Sequence, residues 1–205
     1  MTTLDNNKVT IAGKITSEFV FNHELYGEGF YTVQLSVERS SGTQDVLPLM
    51  VSDRLIDVNK DYIGKSIMVT GQYRSYNLQR NNTTNLILSV FVRDLMLLDD
   101  DSKYDKNEIF INGVICKEPI YRTSPLGREI TDVIVAVDRA YGKSDYIPCV
   151  TWGRCAKYVS TLNVGDKVKL SGRIQSRQYK KKISETEYEI RTAYEVSVNK
   201  LEVIK

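Results

Sequence analysis

The chain has 205 residues, 41% of them hydrophobic and 26% charged, with thirteen tyrosines, three cysteines and a single histidine. That composition fills one large core or two small ones of about a hundred residues each. It holds no apolar run long enough to span a membrane, and its N-terminal MTTLDNNK lacks the basic and apolar regions of a signal peptide. The net charge of +2 hides a division: Lys and Arg number ten against fourteen Asp and Glu in residues 1–105, and eighteen against twelve in residues 106–205. The first half is acidic and the second basic.

From the N-terminus, five segments are β-rich and bounded by Gly, Asn, Asp or Ser clusters, which predicts strands over 10–15, 30–37, 46–51, 66–73 and 86–97. In YTVQLSVE the alternation puts Tyr31, Val33, Leu35 and Val37 on one face and Thr32, Gln34, Ser36 and Glu38 on the other. His23 falls in the loop-like stretch FNHELYGEG. A Ser-His-Asp or Cys-His centre would have to use it. The cysteines, Cys116, Cys149 and Cys155, form no C-x-x-C pair and supply no zinc-ligand spacing, and no phosphate-binding G-x-x-x-x-G-K-[ST] loop occurs. Asp99–Asp101 are consecutive carboxylates that point in different directions on an extended segment, which suits a solvated linker better than a metal site. The expectation is a non-catalytic protein with no cofactor and no metal, its thiols reduced and mostly buried, in the cytoplasm.

Overlaid at a shift of about one hundred residues, the halves match in an ordered series: Asn7 with Asn107, Gly13 with Gly113, Gly27 with Gly127, Arg39 with Arg139, Asp45 with Asp145, Pro48 with Pro148 and Arg54 with Arg154. One residue of slippage brings Gly71 and Ser75 onto Gly172 and Ser176. The chain therefore reads as two copies of one domain, 1–100 and 106–205, joined through DDDSKYDKN. In the second copy Cys155, Val159 and Leu162 are spaced as one face of a short helix between the third and fourth strands. Five strands with that helix predict an all-β chain of two tandem OB-folds, small Greek-key barrels suited to oligonucleotides.

The stretch 145–179 carries the functional signal. Lys167, Lys169, Ser171, Arg173, Gln175, Arg177 and Tyr179 share one strand face, while Val168, Leu170, Gly172 and Ile174 share the other. Tyr146, Pro148, Val150 and Trp152 likewise share a parity. Rings beside a positive track suit a flexible single strand of nucleic acid, because every base has a π-face and every nucleotide a phosphate.

These residues also carry a resemblance. The run from Asp145 through Tyr158, Gly165, SGRIQSRQY and the earlier NEIFING with Pro119, Arg122 and Gly127 resemble the bacterial single-stranded DNA-binding protein family over most of the second half. The resemblance implies the OB-fold and places stacking aromatics at Tyr141, Tyr146, Trp152 and Tyr179. Beside them, Arg139, Arg154, Lys167, Lys169, Arg173 and Arg177 are the candidate phosphate contacts. The corresponding first-half positions Ser41, Val46 and Ser52 are not aromatic, and Met68, Gln72 and Tyr76 replace the basic stripe, so the first barrel is expected to bind less.

By the same resemblance the expected ligand is single-stranded DNA, bound in replication, recombination or repair, and the expected assembly is a homodimer presenting four barrels. Its source would be a bacterium, phage or plasmid. Single-stranded RNA, or an adaptor or oligomerisation role in a replication complex, stay open as alternatives. The family's long tail with an acidic, hydrophobic tip has no counterpart after LEVIK, so tail-mediated recruitment of replication partners is not expected.

Overall fold

The computed structural model describes residues 6–80, 83–99, 106–124, 126–184 and 187–204. Its first half contains β1 (Asn7–Ile15), β2 (Val20–Leu25), β3 (Glu28–Glu38), β4 (Gln44–Ser52), β5 (Ser66–Arg80) and β6 (Thr83–Leu97). The second contains β7 (Asn107–Ile115), β8 (Ile120–Thr123), β9 (Glu129–Asp138), β10 (Ser144–Trp152), α1 (Gly153–Val159), β11 (Lys167–Lys182) and β12 (Tyr188–Ile204). Most of the proposed linker, residues 100–105, lies outside the described residues.

Each half closes on itself. β1 and β2 are successive parts of one interrupted strand, since Ile15 pairs with Leu35 and Val20 with Thr32 on the same β3. β3 then pairs with β4, β4 runs parallel to β6, β6 pairs with β5, and β5 returns to β1. The second half repeats this circuit through β7–β12. Two OB-fold barrels result, and β1 pairs antiparallel with β7, Val9 opposite Ile109, so that all twelve strands form one sheet. Val9, Ile11, Ile109 and Ile111 are fully or almost fully buried within a hydrophobic core that runs through both halves.

The repeated residues have local causes. Asn7 uses its side-chain amide as a strand would use its backbone: Nδ2 donates to the Tyr73 carbonyl at 2.7 Å, and the Tyr73 N–H donates to Oδ1 at 2.9 Å. Asn107 does the same for Ile174, at 2.8 and 2.9 Å. These bonds carry the first strand's pairing past the point where it leaves its neighbour, satisfying backbone groups that would otherwise be stranded. Gly71 and Gly172 mark bulges between β5 and β6 and between β11 and β12. A Cβ on either would collide with a backbone carbonyl, of Phe91 and Ser197 respectively, so only glycine permits that approach.

Three local expectations change. His23 is not on a loop; it lies on β2, with its ring stacked 4.9 Å from that of Phe30, because β2 continues β1 along β3. The helix belongs to the second barrel alone, since turns occupy the matching stretch of the first after Ser52. In α1 the fully buried residues are Ala156 and Val159, flanked by partly buried Cys155, while Leu162 packs on the core from beyond the helix end.

Candidate nucleic-acid interface

The alternation expected for β11 holds in part: Val168, Leu170, Gly172 and Ile174 are buried and Lys167, Lys169, Arg177 and Tyr179 are exposed, but Ser171 and Arg173 on the outward face are half-buried and Gln175 is buried. The skipped residue at the bulge is on β12, where Ser171 pairs with Lys200 and Gly172 with Val198, so the parity of β11 survives. Above this face a groove of about 730 Å³ is lined by Trp152, Glu195 and five arginines, Arg39, Arg122, Arg128, Arg173 and Arg177. Arg39 is paired with Asp45, Arg122 with Asp132, and Arg177 lies against Glu195, so the surplus positive charge of the lining rests on Arg128 and Arg173. Such a surplus over a low-dielectric wall attracts anions.

Trp152, at the end of β10, is 37% exposed, and its Nε1 donates to Ser197 Oγ at 3.2 Å. One polar bond at the ring edge fixes its orientation and leaves a face toward the groove. Arg173 donates through Nη2 to Gln175 Oε1 at 3.4 Å, and Gln175 donates through Nε2 to Glu195 Oε1 at 2.9 Å. Glu195 also lies 3.7 Å from Arg177 Nε, so one buried carboxylate organises two of the cations. The Arg177 guanidinium stands 5.9 Å from the Tyr179 ring centre, linking that exposed ring to the groove. Arg173 Nε is buried with no hydrogen-bond partner among the described residues.

The remaining nominated residues are distributed more widely. Tyr146 is 45% exposed on β10, and its N–H donates across to Ser75 Oγ of the first barrel at 2.7 Å. Arg139 is turned to the seam between the barrels, with Nε 3.2 Å from Asp145 and Nη2 3.4 Å from the Ser75 carbonyl. Lys167 and Lys169 sit at the far end of β11, opposite Ile204 and Glu202, outside the groove lining. Arg154 is exposed on the first turn of α1. Tyr141 belongs to a single 3-10 turn, Ala140–Gly142, and its side chain lies outside those described.

Position-by-position reading did not nominate Arg39, Arg122, Arg128 or Glu195, although Arg122 was among the residues that carry the resemblance. Arg39 comes from the other barrel: it grips Asp45 through Nε and Nη2 at 2.7 and 2.6 Å, and also donates to the Ser176 carbonyl at 3.1 Å. Its only sequence signal was its match to Arg139. Among the described residues no three His, Cys, Asp or Glu side chains are grouped to hold a metal ion, and no helix is long and apolar enough to cross a membrane.

Closed five-stranded barrels with a cationic groove over the fourth and fifth strands define the class of oligonucleotide-binding folds. Residues 106–204 match the model of the single-strand binding protein family. The Single-stranded DNA-binding protein of Clostridium tetani is 39% identical over 85 residues, which covers 37% of this chain and 57% of that protein. Single-stranded DNA-binding protein B of Bacillus subtilis is 30% identical over 80 residues, covering 36% of this chain and 71% of that one. The chain belongs to the single-strand binding protein family. It spans about half the length of most curated relatives it matches. The crystal structure of the single-stranded DNA binding protein from Thermus aquaticus superposes with a TM-score of 0.72 over 97% of this chain and 93% of that one, at 17% identity, a likeness of fold that includes both barrels.

Proposed function

We propose that this protein binds single-stranded DNA without catalysis and with little regard to sequence, using the second barrel as its principal surface. The observation that carries this reading is the groove in which Trp152 stands among five arginines. A base stacked on Trp152 places its flanking phosphates within the field of Arg173 and Arg177, and the Tyr179 ring extends the stacking surface along β11. Tyr146, Arg154, Lys167 and Lys169 prolong the contact outside the groove, with Arg139 at the seam and Tyr141 as a further stacking residue. Residues 1–100 and 106–205 act as two units of unequal weight. Two chains associate as a homodimer, giving four barrels, in the cytoplasm of a bacterium or on a phage or plasmid replicon. The protein serves replication, recombination or repair by holding unpaired strands.

The deciding experiment is fluorescence anisotropy with labelled oligo(dT) and with duplex of equal length across a salt series. Affinity for the single strand should exceed that for duplex and should fall as salt rises, because each phosphate contact releases counterions. Preference for duplex, or indifference to salt, would refute it.

A further inference from the structure

In the second barrel Trp152 at the end of β10 lies over β12, where its Nε1 donates to Ser197, the residue that pairs with Val150 in the parallel β10–β12 register. In the first barrel the equivalent of Trp152 is Ser52, and the residue in the place of Ser197 is Phe91 on β6. The registers fix this correspondence: Leu49 and Met50 pair with Val90 and Phe91 as Cys149 and Val150 pair with Val196 and Ser197. The ring has not been lost from the first barrel. It has moved to the adjoining strand.

The cations have moved with it. Arg74 stands where the second barrel has Gln175, and its guanidinium lies 3.8 Å from the Phe91 ring centre. Arg93, on β6, approaches the same ring at 5.3 Å. Gln72 accepts from both, at 2.9 and 3.4 Å, as Gln175 accepts from Arg173. Behind Phe91 the ladder continues through Phe30 at 5.7 Å to His23. Among the described residues neither Arg74 nor Arg93 makes an ion pair, and Arg74 Nε is buried without a hydrogen-bond partner, as Arg173 Nε is. Burial first, then Arg93 and Arg139, push the Arg74 guanidinium down to about 10, with Asp145 acting in the opposite direction.

We propose that Phe91, Arg74 and Arg93 form a second binding site for a nucleotide of single-stranded DNA, on the first barrel, with the base stacking against the ring and guanidinium planes and the phosphate taken by the unpaired arginines. The inference rests on the single-strand reading of the second barrel. It requires a further contact of the same chemical kind in the half whose aligned positions lack one. Nucleic acid is the fitting ligand because the site joins a π-face to two cations that make no ion pair among the described residues, and neither a purely apolar nor a purely anionic ligand uses both.

Because Trp152 is the only tryptophan, the double variant Trp152→Phe, Phe91→Trp moves the sole indole into the first barrel. Titrated with dT oligomers of about 30 nucleotides, long enough for two barrels, its emission should be quenched by roughly a third or more. Arg93→Gln, an exposed change that disturbs no core, should weaken binding of the same oligomer about three- to tenfold and lower the salt slope by about one. If anisotropy shows the oligomer bound while the emission and the Arg93→Gln affinity are both unchanged, the first-barrel site is overturned and the second-barrel groove stands. If the unaltered protein binds no oligomer, both readings fall together. Should the double variant not fold, Arg93→Gln alone decides.

Discussion

Asp45 of the first barrel accepts the backbone N–H of Ser176 in the second at 2.7 Å and its hydroxyl at 3.1 Å. The repeat-related carboxylate, Asp145, accepts the N–H of Ser75 at 2.6 Å from the opposite direction. Both aspartates are 0% exposed, so each barrel drives a buried charge into the other. Their surroundings differ. Arg39 grips Asp45 with two bonds, whereas Arg139 approaches Asp145 at 3.2 Å without a well-aligned hydrogen bond, leaving Arg139 Nε and Asp145 Oδ2 unsatisfied among the described residues.

That difference predicts unequal variants. Asp45→Asn should destabilise the protein by about 3 kcal/mol at neutral pH, because it breaks a buried, bidentate pair. Asp145→Asn keeps an acceptor for Ser75 and sheds a poorly compensated charge, so it should cost less than about 1 kcal/mol. Urea unfolding of both variants checks this, and equal losses would contradict it.

The pH dependence should carry opposite signs. Burial would raise the Asp45 carboxyl, but Arg39 and Ser176 outweigh it and hold it below the ordinary value. Its stabilisation is complete above the usual carboxylate range and is lost as pH falls through the lowered folded value. Burial of Asp145 is not offset by Ser75, Arg139 and Arg74, and its carboxyl is raised. The folded state then holds that proton more tightly than the unfolded one, and stability declines as pH rises from the ordinary to the raised value. Asp145→Asn should abolish the second slope and leave the first, as unfolding midpoints across acidic pH would show.

Trp152→Ala should weaken oligo(dT) binding by roughly 1 to 3 kcal/mol while leaving the unfolding midpoint nearly unchanged, since the ring is 37% exposed and its one polar bond goes to a serine. Emission of the unaltered protein should fall on binding. Emission that stays constant at saturation, with binding seen by anisotropy, would remove Trp152 from the interface.

Tyr73 is 1% exposed, and its hydroxyl has no hydrogen-bond partner among the described residues; burial pushes the phenol well above its ordinary value. Tyr73→Phe removes an unpaired polar atom and preserves the packing. It should be neutral or stabilising by up to about 1 kcal/mol in thermal or urea unfolding. A loss greater than that would mean the hydroxyl is hydrogen-bonded.

Much of the architecture was legible because strand alternation and a hundred-residue repeat are one-dimensional signals. The parity of Lys167 through Tyr179 needs only the chain itself. What could not be read depends on partners far along the chain: Asp45 meeting Ser176, or Arg39 entering a groove built by the other half. His23 was misplaced because the interruption at 16–19 hides that β2 continues β1. Phe91 was missed for a different reason. Aligned positions register a ring as absent when it has crossed to the neighbouring strand, and only the pairing of Met50 with Phe91 shows it on the same surface.

The pairing of β1 with β7 makes the two barrels neighbours within a single translation product. Two identical chains meeting about a twofold axis must spend the same residue on both sides of it, so any change is made twice. Here each side is encoded separately, and a substitution on one leaves the other untouched. The joint can therefore be tight at Asp45 and loose at Asp145, and the aromatic can stand on different strands in the two barrels. Covalent fusion releases this fold from symmetry, letting one half drift chemically while the other keeps its inherited surface.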